Sequence, residues 1–212
     1  MIRLLFFNNL EAALNHLLRC QRLNNRYFAV RHGNSLANQQ GIIVSHPQNG
    51  VSEYGLSKTG QLQVIESVDK DRQLDAATLI VSSDFRRARE TAEIIHRQLD
   101  SHSPLSFDQR LRERNFGDLE LGPDSAYAGV WQEDEFNANN HLRAVETPNQ
   151  VMARVSELVS DYESRYSEAT VLLVSHGDAL QILQTAFAKQ EASKHRRQRH
   201  LETAEIRPLL LG

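Results

Sequence analysis

Cysteine is almost absent from these 212 residues, with Cys20 standing alone. No intrachain disulfide can form, and no C-x-x-C pair offers zinc or redox chemistry, so a reducing, cytoplasmic setting is the expectation. A surplus of positive charge is also missing. Lys and Arg number 24 against 27 Asp and Glu, a net charge of −3, which argues against nucleic acid or an anionic membrane as partner. Nowhere is there the run of ~20 apolar residues that spans a bilayer. The opening Met1–Phe7 run breaks at Asn8 and Asn9 without a cleavage pattern, so it does not read as a signal peptide. Internal repeats and low-complexity tracts are lacking too. What remains is an ordinary globular composition in a chain long enough to bury roughly 70% of its unfolded surface, with no need of disulfide or metal staples.

Leu10, Ala13, Leu14, Leu17 and Leu18 recur at helical spacing. They predict an amphipathic helix over 9–23, in an extension (1–26) that precedes a main domain at 27–212. Packing on its own domain is the expected role of this helix, with a homodimer or membrane-surface contact as alternatives. Cys20 would be a small apolar filler within it. Beyond residue 26, apolar strand-like runs alternate with helical patterns. Strands are expected at Tyr27–Val30, Thr78–Val81 and Thr170–Val174, and an edge strand at Glu202–Arg207. Helices are expected over 57–70 (Ser57 as N-cap; Leu62, Ile65 and Val68 on the apolar face), 85–99, 148–166 (Pro148 in its first turn) and 178–188. Continuous apolar strands separated by helices imply βαβ units. The fold class is therefore α/β: a three-layer α/β/α sandwich around a mostly parallel sheet.

Ligands of such sheets bind beyond the carboxyl ends of the strands, and there the sequence is chemically unusual. The three main strands run into Arg31-His32-Gly33, into Ser82-Ser83 with Arg86-Arg87 beyond, and into Ser175-His176-Gly177. Adjacent, these ends bring two imidazoles and at least one guanidinium to one rim. An anion must neutralise such a cluster, and a phosphate fits, because guanidiniums grip its oxygens and helix-start N–H groups add donors. Gly33 and Gly177 place no Cβ in the way of a ligand. Helical phase puts Arg86 with Glu90, Glu93 and Arg97 on a polar face and Arg87 beside Thr91 and Ile95. Arg87 is therefore expected in the site and Arg86 on the surface.

From about Tyr27 to Leu210 the chain resembles the histidine phosphatase superfamily, the phosphoglycerate-mutase-like group. The resemblance rests on four motifs in order: Arg31-His32-Gly33 with Ser35 and Asn38, Ser82–Ala92, Leu111–Gly117, and Ser175-His176-Gly177. It implies that His32 takes up the phosphoryl group as a phosphohistidine. Arg31, Arg87 and His176 would hold the phosphate, Ser35 and Asn38 would contact it, and Glu113 would protonate the leaving oxygen. It also implies no metal and no organic cofactor. Asn34 departs from the Glu or Gln common at that position. The interval between Glu113 and His176 lacks the long arginine-bearing insertion of the cofactor-dependent mutases. The expectation is thus a phosphomonoesterase acting on a small phosphate ester, with a mutase or a catalytically silent phospho-ligand binder as alternatives.

Asp118, Glu120 and Asp178 compete with Glu113 as the acid, Asp178 being read as a helix cap. Ser83 and Ser175 lie outside G-x-S-x-G, so hydrogen bonding at strand ends is expected of them. His195 and His200 show no zinc-ligand pattern and read as exposed, within a solvated basic turn at Lys194–Arg199. Gly55–Gly60 has P-loop spacing but Gln61 where lysine is required. Tyr127 and Trp131 fit either a pocket wall or the core. Residues 39–56 and the Tyr127–His141 region are placed to meet the non-phosphate part of a ligand.

Overall fold

A computed structural model describes residues 15–212. Five strands form one sheet in the order β3-β2-β4-β1-β5. β1 (Arg26–Arg31), β2 (Leu79–Ser82), β3 (Ser106–Phe107) and β4 (Thr170–Ser175) are parallel to their neighbours, and β5 (Ile206–Leu209) runs antiparallel to β1. Alternation along β1 divides the core between two faces. Tyr27 and Ala29 pack with the buried residues of α5 (Pro148–Arg165) and α6 (Gly177–Phe187). Phe28 and Val30 pack with those of α2 (Lys58–Lys70) and α3 (Arg86–Gln98). The expected three-layer α/β/α arrangement is observed. Before these come the short α1 (Leu36–Gln40), and between β3 and α5 lies α4 (Tyr127–Phe136). Among the described residues no helix is long and apolar enough to cross a membrane.

Helix starts follow the caps in the sequence. Ser57 Oγ accepts from Gly60 N, and Thr147 forms a reciprocal capping box with Gln150 ahead of Pro148. The α2 seam differs from expectation. Val64 and Val68 are buried while Leu62 is 60% exposed, because close packing centres on Gly60, whose Cβ would lie 2.0 Å from the Asn34 carbonyl oxygen. The edge strand is shifted to 206–209. Residues 202–205 turn instead, with Ala204 at φ 63 donating its N–H to Arg31 O, and Pro208 is tolerated because the strand is an edge.

Of the helix expected over 9–23, the described part forms turns. Asn15 Oδ1 accepts from Leu17 N at 3.0 Å and its Nδ2 donates to Ala186 O at 3.0 Å, a local side-chain bond that competes with helix. His16 N donates to Ser156 Oγ. Leu17 is buried in the core, and Cys20 packs against that core from outside any helix. The remainder of that prediction lies outside the described residues.

Candidate active site

Because β4 lies between β1 and β2, the three polar strand ends adjoin. Arg31 pairs in register with Ser175, His32 N donates to Ser175 O at 3.0 Å, and Ser83 N donates to Val174 O at 2.9 Å. The His32 and His176 rings stand edge to face, centroids 5.1 Å apart, both buried. Helical phase held for the arginines. Arg87 is 4% exposed and reaches His32, whereas Arg86 pairs with Glu90 at 2.7 Å on the surface.

The hydrogen bonds of His32 define its tautomer. His32 Nδ1 lies 2.8 Å from Gly33 O, which only accepts, so Nδ1 carries the proton and Nε2 the lone pair. Arg87 Nε donates to that lone pair at 3.0 Å. Burial, and then the Arg87 and Arg31 charges, hold the His32 pKa well below the ordinary imidazole value, and His176 is depressed by burial and Arg87. Both rings are neutral at pH 7. Around them three buried nitrogens have no hydrogen-bond partner: Arg31 Nε, Arg87 Nη1 and His176 Nδ1. Buried unsatisfied polar groups are costly. All three belong to residues beside His32, where an incoming anion could accept from the two guanidiniums.

A cavity of about 200 Å³ opens onto this floor, and Arg31, His32, Arg87, Glu113 and Gly177 all line it. Ser35 and Asn38 line it too, but they are largely engaged with each other. Asn38 Oδ1 accepts from Ser35 N and Oγ, and Ser35 Oγ accepts from Asn38 N, the capping box of α1. Gly33 serves packing rather than ligand approach, since a Cβ there would meet Gly60 O at 2.5 Å. At Gly177 the nearest atom to a Cβ is His200 Cε1 at 3.5 Å, ordinary contact, so the space over it is free for a ligand.

Glu113 is the acid this cavity shares with the floor. Ser175 Oγ donates to Leu111 O at 2.6 Å, and Arg154 from α5 donates to Arg110 O, Arg112 O and Glu113 O, clamping the loop that carries it. Its Oε1 accepts from Arg114 N and from Ala179 N. Burial, then the neighbouring Asp178 carboxylate, raise its pKa above the usual carboxylate value, against the pull of Arg87 and those N–H groups. Glu120 is instead a staple, accepting from Ser45, His46 and Asn49, and Asp118 is exposed. Glu113 also lines a larger, more open cavity of about 450 Å³. The arginines there are already engaged, Arg112 with Asp84 and Arg154 with Glu146, so that cavity offers an anion little.

Three sequence expectations are corrected in the cover. Asp178 does not cap α6; its carboxylate accepts from Trp131 Nε1 at 3.0 Å and from Arg114 Nη1 at 3.3 Å. His195 is fully buried, its Nε2 3.7 Å from Asp134. His200 lines the cavity, where its Nε2 accepts from Arg31 Nη1 at 2.6 Å and its Nδ1 donates to Gln181 Oε1 at 3.0 Å. The basic turn is correspondingly half-buried. Arg196 stacks on Trp131 at 3.7 Å, and Trp131 stacks on Tyr127 at 5.4 Å. Both aromatic rings line the cavity.

The sequence profile described as "Histidine phosphatase superfamily (branch 1)" matches residues 27–210. A protein named "Probable phosphoglycerate mutase GpmB" from Erwinia tasmaniensis is 30% identical over 177 residues, 81% of this chain and 79% of that protein. Among solved structures, mycobacterial glucosyl-3-phosphoglycerate phosphatase in complex with VO3 superposes with a TM-score of 0.71 at 25% identity, covering 86% of this chain and 91% of that one. Bacillus stearothermophilus YhfR superposes with a TM-score of 0.71 at 25% identity, covering 87% and 90%.

Proposed function

The chain belongs to the histidine phosphatase superfamily, and from that premise we propose that it is a phosphomonoesterase acting on a small phosphorylated metabolite. His32 is the nucleophile, Glu113 the general acid and then base, and Arg31, Arg87 and His176 grip the phosphoryl oxygens. A single arrangement carries this reading: His32, bonded by Arg87 and edge to face with His176, shares one small cavity with Arg31, Arg87 and Glu113, and Arg31, Arg87 and His176 each keep a buried nitrogen without a partner.

When an ester's phosphate enters, Arg87 Nε transfers its hydrogen bond from His32 Nε2 to a phosphoryl oxygen and frees the lone pair. Nε2 attacks phosphorus in line, the ester P–O bond breaks, and the Glu113 proton passes to the departing alkoxide. Proton donation to so poor a leaving group is worth about 10²–10⁴ in rate. Water then attacks the phosphohistidine and gives its proton to the Glu113 carboxylate. The P–N bond breaks with its electrons returning to Nε2, which restores the starting state.

The name of the 30%-identical relative favours a second reading, transfer of the phosphoryl group to another hydroxyl of a sugar acid. Incubation with phosphorylated metabolites, scored for released phosphate and for isomerised product together, separates the two. Alkaline quenching and peptide mass spectrometry should find the phosphoryl adduct on His32. An adduct elsewhere, or turnover without one, refutes the nucleophile.

A further inference from the structure

We infer that the leaving group is a small neutral polyol and that Asp124 rejects substrates whose alcohol carries a carboxylate; this rests on the phosphatase reading. Past the floor, the cavity's charged groups are few. Its cations, Arg31 and Arg87, face the phosphate with the histidines. His200 is held as an acceptor for Arg31. Arg196, behind the cavity wall, lies over Trp131 and donates to Gln181 Oε1 at 2.7 Å, with Asp178 at 3.7 Å. Asp178 is itself shared among Trp131, Arg114 and Arg196.

Asp124 differs from all of these. It lines the cavity from its exposed edge, fixed by its backbone N–H to Gly41 O at 2.9 Å. Among the described residues its carboxylate has no hydrogen-bond or ion-pair partner. The one uncompensated charge beyond the phosphate site is therefore negative. A second anion on the substrate would meet it without a cation to balance it, whereas a hydroxyl would find a strong acceptor. Asn38, whose Oδ1 is engaged with Ser35, leaves its amide donor on the same cavity. Apolar Ala37, Ile42 and Val44 and the Tyr127 and Trp131 rings supply the rest of the wall. At about 200 Å³, the space lies below the ordinary range for drug-sized ligands and suits a compact alcohol.

Glycerol 3-phosphate and 3-phosphoglycerate differ at one carbon, CH₂OH against a carboxylate, so the pair isolates this effect. With released phosphate as readout, kcat/KM should favour glycerol 3-phosphate by about tenfold or more. Asp124→Asn should shrink that ratio at least threefold, and Asp124→Lys should bring it to one or below. A wild-type preference for 3-phosphoglycerate overturns the inference. So does a ratio unmoved by Asp124→Asn, or failure to hydrolyse either ester while para-nitrophenyl phosphate is turned over. Loss of turnover on all three by the wild-type protein would instead refute the phosphatase reading beneath it.

Discussion

At the floor of the cavity, Arg31, Arg87 and His176 each hold a buried nitrogen without a partner, around imidazoles kept neutral by burial and by those same guanidiniums. One part of its cover, the cluster of Arg114, Asp134, Asp178 and Arg196, is also charged and largely buried, yet there the charges are matched. Arg114 grips Asp134 at 2.5 and 2.8 Å with both side chains fully buried and also reaches Asp178, and Arg196 lies on Trp131. The two regions use the same residue types to opposite ends. An unsatisfied floor costs stability and, on the proposed reading, gains affinity for an anion, whereas the paired Arg114–Asp134–Asp178 cluster holds the walls in place. Substitutions in the floor should therefore remove chemistry at little cost in stability, and substitutions in the cover should do the reverse.

His32→Ala is the sharpest test of that contrast. Turnover of para-nitrophenyl phosphate should fall by about 10⁴-fold or more, while the urea midpoint stays unchanged or rises. A large loss of stability would erase the distinction between floor and cover.

Glu113→Gln comes next. On alkyl phosphates kcat should fall by about 10²–10⁴, and on para-nitrophenyl phosphate, whose leaving group needs no proton, by far less. Equal losses would remove Glu113 as the acid. The wild-type rate on alkyl esters should decline as pH rises through the raised Glu113 pKa, and this basic limb should vanish in the variant. Stability carries the matching signs. With its folded pKa raised, Glu113 binds a proton that the unfolded chain releases, so its contribution is lost as pH rises through that window. His32 and His176, with depressed folded pKa values, make the unfolded chain the better proton acceptor below ~6.5, so their contribution is lost as pH falls. Urea midpoints across pH should show both declines.

In the cover the expected effect moves to folding. Arg114→Met strands the Asp134 carboxylate in the interior and should cost about 3–5 kcal/mol. The double variant Arg114→Met/Asp134→Leu should recover most of it. Recovery confirms matched charge as the source of the cover's rigidity, and its absence would assign the loss to packing around Phe116, over which Arg114 lies.

The same contrast governs what the sequence revealed. Floor residues were legible because each follows an apolar strand directly, and strand adjacency alone brings Arg31, His32 and His176 together. Arg87 was legible from helical phase. Glu113 came only from resemblance, since its position depends on Arg154 and Ser175 holding an irregular loop. His195 and His200 were misread as exposed. They lie in a basic run whose composition signals solvent, and their placement depends on Asp134 for His195 and Gln181 for His200, contacts made across 15 or more residues that no local pattern encodes. Asp178 was misread for a similar reason: its place in the first turn of α6 suggests a cap, while Arg114 and Trp131 claim the carboxylate.

His200 sits where the two regions meet, and it yields the smallest and most discriminating effect. Its Nε2 accepts from Arg31, so the ring must be neutral, with the proton on Nδ1 directed at Gln181 Oε1, which Arg196 also bonds. Burial, then the Arg31 and Arg196 charges, lower its pKa and favour that state. The chain from Arg196 through Gln181 and His200 thus aims the Arg31 guanidinium, making His200 a positioning residue. Arg31 would grip phosphate in ground and transition states alike, so His200→Ala should raise KM about tenfold with kcat little changed, close to the ~1.4 kcal/mol of a well-placed hydrogen bond. His200→Gln, which keeps an acceptor, should recover part of the loss. A lower kcat at unchanged KM would mean only that less of the protein is correctly folded, and would return His200 to the cover.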